Sequence, residues 1–167
     1  MNHKITSAQH ISKNCLVCGV DNDFGLKTRF YETEDKQLIA LFKPLQEHQS
    51  YPQVTHGGIS AAILDEVIGR AIMMTSDQNT FGVTIELHVR YKKPVPLGME
   101  LKAIGRITRD NGRIFEGSGE LYLPNGEVAV TAEGKYMKRR LDQITDAQFT
   151  NNEWFVPQGE LPETIAW

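Results

Sequence analysis

The sequence predicts an α+β fold in which one long helix packs against a curved antiparallel β-sheet. Three patterns indicate this fold class. Residues 80–92 alternate between apolar and polar side chains, which is typical of a long strand with one covered face. Later strand-like runs are joined through Asn-Gly turns at 111–112 and 125–126. Residues 57–71 carry the one long helical pattern, so a single helix must cover one face of the sheet.

The composition indicates one globular unit. The 167 residues suffice for a single domain with a sizeable core, and 40% of them are hydrophobic and 23% charged. The net charge of −3 gives no overall attraction for nucleic acid. The N-terminus lacks the apolar run of a signal peptide, and no stretch is long enough to span a membrane. We therefore expect a cytoplasmic protein, with neither nucleic acid nor a membrane as partner.

The strand-like segments lie on both sides of the helix in the order β-β-α-β-β-β-β. The longest of them ends where Pro94 and Pro96 interrupt the hydrogen-bond ladder. Residues 24–138 form the expected core of the single domain 1–167, with an N-terminal cysteine segment and a C-terminal tail appended. The predicted strands are residues 26–33, 37–43, 80–92, 99–109, 113–123 and 127–137.

In the longest strand, alternation predicts that the apolar residues share one covered face. They are Phe81, Val83, Ile85, Leu87, Val89 and Tyr91.

The tail beyond residue 138 does not continue the strand pattern. Thr145 and Gln148 have the spacing of a capping box, which predicts a short helix through Phe149. Aromatic residues further along are expected to anchor the tail by packing: Trp154, Phe155 and Trp167.

The helix has two distinct faces. At about 100° per residue, Glu66 and Arg70 are four positions apart and form an expected exposed ion pair. The side expected to pack on the sheet carries Leu64, Val67, Ile68 and Ala71.

Asp65 belongs to neither face of the helix. It lies within about 20° of Gly58, on a stripe of small residues that also includes Ala61, Ala62 and Gly69. Most helical aspartates are solvated surface charges. A carboxylate on a stripe of small residues, however, lies where another backbone or a slender ligand can approach closely, so Asp65 is a candidate catalytic residue.

The start of the helix is a candidate oxyanion site. Gly57 and Gly58 follow His56 and present backbone N–H groups at the positive end of the helix, with no Cβ in the way. Gly58 and Asp65 are about 10.5 Å apart along the helix axis, too far to act on one carbonyl group. An antiparallel second copy removes this conflict, which predicts a homodimer with two equivalent sites.

Cys15 and Cys18 have the spacing of half a zinc knuckle or of a redox pair. Structural zinc takes four ligands, and completing such a site would require His3 and His10. We prefer a plain buried turn and expect no metal.

Together, these residues resemble the hot-dog fold acyl-CoA thioesterases, in the branch of the phenylacetate-pathway and 4-hydroxybenzoyl-CoA enzymes. The resemblance covers roughly residues 15–138. Its motifs are His-Gly-Gly at 56–58, the acid nine positions after that histidine, the turn RYKKPVPLG at 90–98 and the leading segment CLVCG at 15–19.

The resemblance implies hydrolysis of an acyl-CoA thioester at a dimer interface, with a tetramer also open and with CoA as part of the substrate rather than as a cofactor. Asp65 would be nucleophile or general base, and the amide of Gly57 or Gly58 would bind the thioester oxygen. His56 would brace the turn, and Thr84 would assist from the following strand. A cationic cluster could hold the CoA phosphates or be a solvated edge: Arg90, Lys92, Lys93 and Arg106.

Two other functions fit the same fold. One is an acyl-CoA-binding protein without hydrolysis. The other is a hydratase or dehydratase, which requires a histidine facing the acid, and the core histidines are His48, His56 and His88. No G-x-S-x-G motif is present, which argues against an α/β-hydrolase. The acyl group stays open among aromatic, short and medium aliphatic groups, with expected lining residues Ile59, Ile63, Met73, Met74 and Phe81.

Overall fold

A computed structural model describes residues 2–166 of the chain. Its long helix, α1, spans Gly57–Arg70 and continues into a short 3-10 turn at Ala71–Met74. The described residues also form ten strands: β1 (Asn2–Ala8), β2 (Ile11–Ser12), β3 (Arg29–Thr33), β4 (Leu38–Phe42), β5 (Phe81–Tyr91), β6 (Leu101–Asp110), β7 (Ile114–Tyr122), β8 (Val128–Arg139), β9 (Trp154–Phe155) and β10 (Thr164–Ala166).

Eight strands form one antiparallel sheet in the order β10-β1-β3-β4-β6-β7-β8-β5. All six strands predicted from the sequence are in this sheet. The two ends of the chain add β1 and β10 beyond β3, and β2 pairs separately with β9. Gly112 and Gly126 have φ of 85° and 83°, which is the left-handed conformation that the predicted Asn-Gly turns require.

Helix α1 packs on the middle of the sheet through the predicted apolar face, whose four residues are fully buried. The helix lies so close to β6 and β7 that only glycine fits beneath it. A Cβ on Gly105 would come within 2.5 Å of the Val67 carbonyl oxygen, and one on Gly117 within 2.5 Å of the Ile68 side chain. Truncating a side chain as buried as Ile68 to alanine typically costs about 2–5 kcal/mol, so this contact is a large part of the stability.

Strand β5 contains a bulge between Thr84 and Glu86, where its register with β8 shifts by one residue. A bulge inserts one extra residue and moves the following side chains to the other face. Val83 and Ile85 are therefore exposed by 39% and 51%, whereas Tyr91 reaches the helix start. The expectation that all the apolar residues of this strand share one covered face is wrong for this reason.

The prediction that Glu66 and Arg70 form an exposed pair is also wrong, because Arg70 is only 7% exposed. Its Nε does donate to Glu66 at 2.7 Å, but the N-terminal loop covers the guanidinium, whose Nη1 donates to the His10 carbonyl at 2.8 Å. Arg70 also lies over the rings of Phe30 and Trp154.

The tail forms a 3-10 turn at Leu141–Gln143 in place of the predicted helix through Phe149. The Thr145 hydroxyl accepts from the Ala147 N–H two residues on, which makes a turn rather than a helix cap. Trp154 is an anchor as predicted, since it stacks on Phe149 with ring centres 4.9 Å apart. Trp167, also predicted to be an anchor, lies outside the described residues.

Within residues 2–166, no helix is both long enough and apolar enough to cross a membrane.

Candidate active site

Asp65 lies on α1 where the helix passes the bulge of β5. Its Oδ1 accepts a hydrogen bond from the Thr84 hydroxyl at 2.8 Å and another from the Tyr136 hydroxyl at 3.2 Å. The Tyr136 hydroxyl is also 3.2 Å from the Asp65 carbonyl oxygen. Within residues 2–166 both donors bind the same carboxylate oxygen, and Oδ2 accepts no hydrogen bond. One oxygen is thus held in place while the other is left for water or substrate.

Thr84 lies immediately before the bulge, on the face of β5 that is turned toward the helix. Thr84 is paired directly with Tyr136 in the β5–β8 ladder, and both side chains face the helix. Thr84 was expected to assist Asp65, and the structure brings the two together. Tyr136 was not anticipated, because its role depends on the register between β5 and β8, which the sequence does not reveal. Its ring is fully buried and stacks on Phe115 with centres 5.1 Å apart.

The surroundings of Asp65 change its acidity in opposing directions. Burial raises the pKa of the Asp65 carboxyl above its ordinary value, and the hydrogen bonds from Thr84 and Tyr136 partly oppose that rise. The negative charge of Glu66 raises it further. A carboxylate that is desolvated yet held by two donors is typical of a catalytic base or nucleophile.

A cavity of about 320 Å³ opens beside the carboxylate. Asp65, Thr84 and Cys15 lie on its wall, and the C-terminal tail closes one side. Of the expected lining residues Met73 and Phe81 contribute, whereas Ile63 is fully buried in the core. The remaining apolar surface comes from Val83, Leu141, Ile144, Phe149 and Trp154.

The start of α1 provides a single available amide donor. The Gly58 N–H donates to the Nδ1 of His56 at 2.9 Å, so His56 caps the helix and Gly58 is already paired. In the described part of the chain the Gly57 N–H has no hydrogen-bond partner. The Tyr91 hydroxyl donates to the Gly57 carbonyl at 2.8 Å and fixes this peptide from the strand side. Of the two predicted oxyanion donors, the geometry therefore favours Gly57.

One subunit does not bring Gly57 and Asp65 together. They are eight residues apart on one helix, so about 12 Å separates them along its axis. Reacting atoms must come within about 3–3.5 Å, so a site that uses both requires a second subunit.

The core histidines do not contact Asp65. His48 is buried, with Nδ1 accepting from the Leu45 N–H at 2.8 Å and Nε2 2.7 Å from the Phe24 carbonyl oxygen. His88 is exposed and paired with Glu86. His56 is engaged in the helix cap, so within residues 2–166 of one subunit no core histidine faces Asp65.

The structure separates the predicted phosphate-binding cations. Arg106 lies on β6, which β7 and β8 separate from β5, and its Nη1 donates to Glu120 at 2.8 Å. Lys93 forms an ion pair with Glu127. Arg106 therefore does not join the group at the end of β5, where the exposed cations are Arg90, Lys92 and Lys93.

The two histidines that a zinc site would require do not reach the cysteines. His3 Nδ1 lies 3.0 Å from Asp35, and the His10 ring stacks on Trp154.

Comparison with known proteins connects this geometry to one group. A family model described as Thioesterase superfamily matches residues 53–130. A crystal structure of a thioesterase superfamily protein has a TM-score of 0.68 with this chain at 27% identity, covering 75% of this chain and 60% of the other. The chain has the hot-dog fold. The predicted fold class is thus confirmed, whereas the narrower phenylacetate and 4-hydroxybenzoyl-CoA branch stays a prediction.

Two further relatives of the hot-dog domain are informative. Acyl-coenzyme A thioesterase THEM4 of Xenopus laevis is 28% identical over 85 residues, which cover 50% of this chain. The matched segment spans only 36% of that protein's length. A Bacillus halodurans protein solved with CoA has a TM-score of 0.62 at 24% identity, covering 69% of this chain and 76% of that one.

Proposed function

We propose that this hot-dog domain hydrolyses acyl-CoA thioesters, with Asp65 as nucleophile or general base. The observation that carries the proposal is the Asp65 carboxylate, which is half-buried, is held at one oxygen by Thr84 and Tyr136, accepts no hydrogen bond at the other, and lies on the wall of an apolar cavity. Similarity to a CoA thioesterase and to a protein solved with CoA supports this choice of substrate class.

The chemistry needs few groups. Asp65 Oδ2 either attacks the thioester carbonyl carbon or removes a proton from the attacking water. The thiolate leaving group needs little protonation, so one carboxylate and one oxyanion donor suffice. The Gly57 N–H is the proposed donor for the oxygen that becomes negative, and the partial positive charge of the helix start strengthens it.

The proposed site is completed by a second copy of the chain. If two α1 helices run antiparallel across a two-fold axis, Asp65 of each subunit approaches Gly57 of the other. Strand β5 is suited to this contact because it is an edge of the sheet, paired only with β8, and exposes Val83 and Ile85. A homodimer with two sites is therefore proposed, and a tetramer would consist of two such dimers.

The substrate's two ends fit different parts of the site. The exposed cations Arg90 and Lys92 are the proposed partners of the CoA phosphates, with Lys93 available if it leaves Glu127. The cavity beside Asp65 takes the acyl group. Its aromatic wall of Phe81 and Trp154 favours an apolar acyl group.

The test compares Asp65→Asn with the wild type on a panel of acyl-CoA esters, with CoA release followed by chromatography. We expect turnover to fall about 10²- to 10⁴-fold, because the variant lacks the ionised oxygen that attacks or accepts the proton. Asp23→Asn makes the same charge change at an exposed position and should leave turnover unchanged. Thermal stabilisation by CoA should persist in both variants.

Undiminished turnover in Asp65→Asn would contradict the assignment of Asp65. Stabilisation by acyl-CoA esters with no CoA release from any ester would indicate a binding protein instead.

A further inference from the structure

The N-terminal loop places two thiols, a carboxylate and a buried guanidinium in one cluster beside the cavity. The sulfur atoms of Cys15 and Cys18 and a carboxylate oxygen of Glu66 lie within 4.8 Å of one another. Arg70 Nη2 donates to the Cys18 sulfur at 3.3 Å, and Arg70 Nε donates to Glu66 at 2.7 Å. The proposed hydrolysis does not use any of these four side chains.

The two sulfurs differ in access. Cys18 is fully buried, whereas Cys15 is only half-buried and lies on the wall of the cavity that holds Asp65. The loop is fixed in this arrangement, because the N–H groups of Leu26 and Thr28 donate to the carbonyls of Leu16 and Val17 at 2.9 Å each. A reagent in the cavity can therefore reach Cys15 but not Cys18.

The Cys15 sulfur is surrounded by donors. The N–H groups of Val17 and Cys18 point to it at 3.3 and 3.5 Å. The Cys18 thiol, together with these amides, lowers the pKa of Cys15 to about 7, against the opposing effect of burial. The pKa of Cys18 is raised, because the neighbouring Cys15 sulfur favours its protonated form and the side chain is buried, while the positive charge of Arg70 opposes the rise. A thiolate next to a protonated thiol is the arrangement that thiol–disulfide exchange requires.

The cluster is less suited to a metal ion. Within residues 2–166 it offers three ligand atoms, whereas structural zinc takes four. The Arg70 guanidinium, already in contact with both Glu66 and Cys18, supplies the positive charge that a cation would bring.

We propose that Cys15 and Cys18 form a thiol–disulfide exchange centre, in which the exposed sulfur of Cys15 reacts with low-molecular-weight disulfides from the cavity and the buried sulfur of Cys18 resolves the product. The Cys15 thiolate attacks one sulfur of a disulfide RSSR, a new S–S bond forms, and one RS⁻ leaves. Cys18 then attacks the Cys15 sulfur, and its proton goes with the second RS⁻ as RSH. The dithiol loses two electrons, and the RSSR disulfide gains them.

Arg70 assists the second step. Once Cys15 is in the mixed disulfide, Cys18 loses the thiolate that held its proton, and the guanidinium at 3.3 Å favours the thiolate of Cys18. Glu66 keeps this buried guanidinium paired throughout.

The experiment uses glutathione disulfide on the reduced full-length protein at neutral pH, followed by intact-protein mass spectrometry. The chain has two cysteines, so every change in mass can be assigned to this pair. We expect the wild type to lose two hydrogen atoms and retain no glutathione. Cys18→Ser should retain one glutathione, because Cys15 reacts and nothing resolves it. Cys15→Ser should stay unmodified, because Cys18 is buried.

The rate provides a second measurement. At pH 7 a thiol of pKa about 7 has more thiolate than an ordinary cysteine, and after allowing for its lower nucleophilicity we expect Cys15 in the folded wild type to react roughly four-fold faster than either cysteine of the wild type in denaturant. No reaction of the folded wild type, or glutathione retained by the wild type, would overturn the proposal. Equal reactivity of the two serine variants, or stoichiometric zinc that both cysteines retain, would also overturn it. None of these measurements involves an acyl-CoA ester, so the outcome is independent of the proposed hydrolysis.

Discussion

At the scale of single residues, the proposed chemistry depends on the different hydrogen bonding of the two carboxylate oxygens of Asp65. Thr84 and Tyr136 both donate to Oδ1, which fixes the carboxylate without occupying the reactive oxygen. The same donors favour the ionised form, while burial disfavours it. The carboxylate is therefore more basic than that of an ordinary aspartate, and its two neighbours affect its acidity as well as its position.

This balance predicts the pH dependence of hydrolysis. The proposed hydrolysis requires ionised Asp65, so kcat/KM should rise with pH through the Asp65 pKa, with a midpoint above that of an ordinary aspartate. Tyr136→Phe removes a donor that favours the charged form, so the midpoint should move to higher pH. Its ring keeps the stacking on Phe115, and losing the hydroxyl should lower stability by only about 0.5–1.5 kcal/mol.

The matched control is Tyr122→Phe. Tyr122 is the last residue of β7, the strand next to the one that carries Tyr136, and its substitution should leave the profile unchanged. A midpoint for Tyr136→Phe that stays in place or moves to lower pH would show that Asp65 is not the titrating group.

At the scale of elements, two contacts at the start of α1 leave one backbone donor available. His56 caps the Gly58 N–H, Tyr91 holds the Gly57 carbonyl, and the Gly57 N–H remains available. Gly57 is the first residue of the helix, the position at which proline is most readily accepted. His56, with ψ of 134°, already has the extended conformation that a residue before proline adopts.

Gly57→Pro therefore removes one N–H while keeping the helix. We expect kcat/KM to fall about 10²- to 10³-fold, which is typical for loss of an oxyanion donor. Gly57→Ala is the control, because it adds a Cβ that meets the same Tyr91 ring at 3.3 Å but keeps the N–H. Circular dichroism checks the helix. Equal activities of the two variants would rule out Gly57 as the donor.

The elements also show what a single sequence can reveal. Apolar periodicity identified the buried side of α1 and the six central strands, because those patterns arise directly from side-chain burial. The bulge at Ile85 escaped prediction because apolar and polar residues alternate just as regularly on both sides of it. The pairing partner of Thr84 was hidden for the same reason, since register is a property of two strands. Glu66 and Arg70 have the spacing of a surface pair, and only the fold of the N-terminal loop buries Arg70.

At the scale of the whole molecule, the proposed reaction depends on assembly. Asp65 lies on the same helix as Gly57, its proposed oxyanion donor, but about 12 Å from it along the helix axis. The exposed edge of β5 supplies a surface for the second copy.

Mixing two inactive variants tests whether each site is shared between subunits. Asp65→Asn and Gly57→Pro subunits should each be inactive alone. When they are refolded together, one of the two sites in each mixed dimer combines an intact Asp65 with an intact Gly57 from different subunits. We expect activity to return to roughly a quarter of the wild-type level if assembly is random, since half of the dimers are mixed and each has one working site.

Absence of any recovery, with mixed dimers demonstrated by mass spectrometry, would contradict a site shared between Asp65 of one subunit and Gly57 of the other.

Two glycines of the sheet determine how closely α1 packs on it. Gly105 and Gly117 leave bare backbone under α1, so the helix rests directly on the strands. A methyl group at either position would push α1 away from the sheet and tilt the helix that carries both Asp65 and the Gly57 N–H. In the proposed dimer this helix faces its symmetry-related copy across the two-fold axis. A tilt of the helix in each subunit would therefore change the angle between the two helices by twice as much.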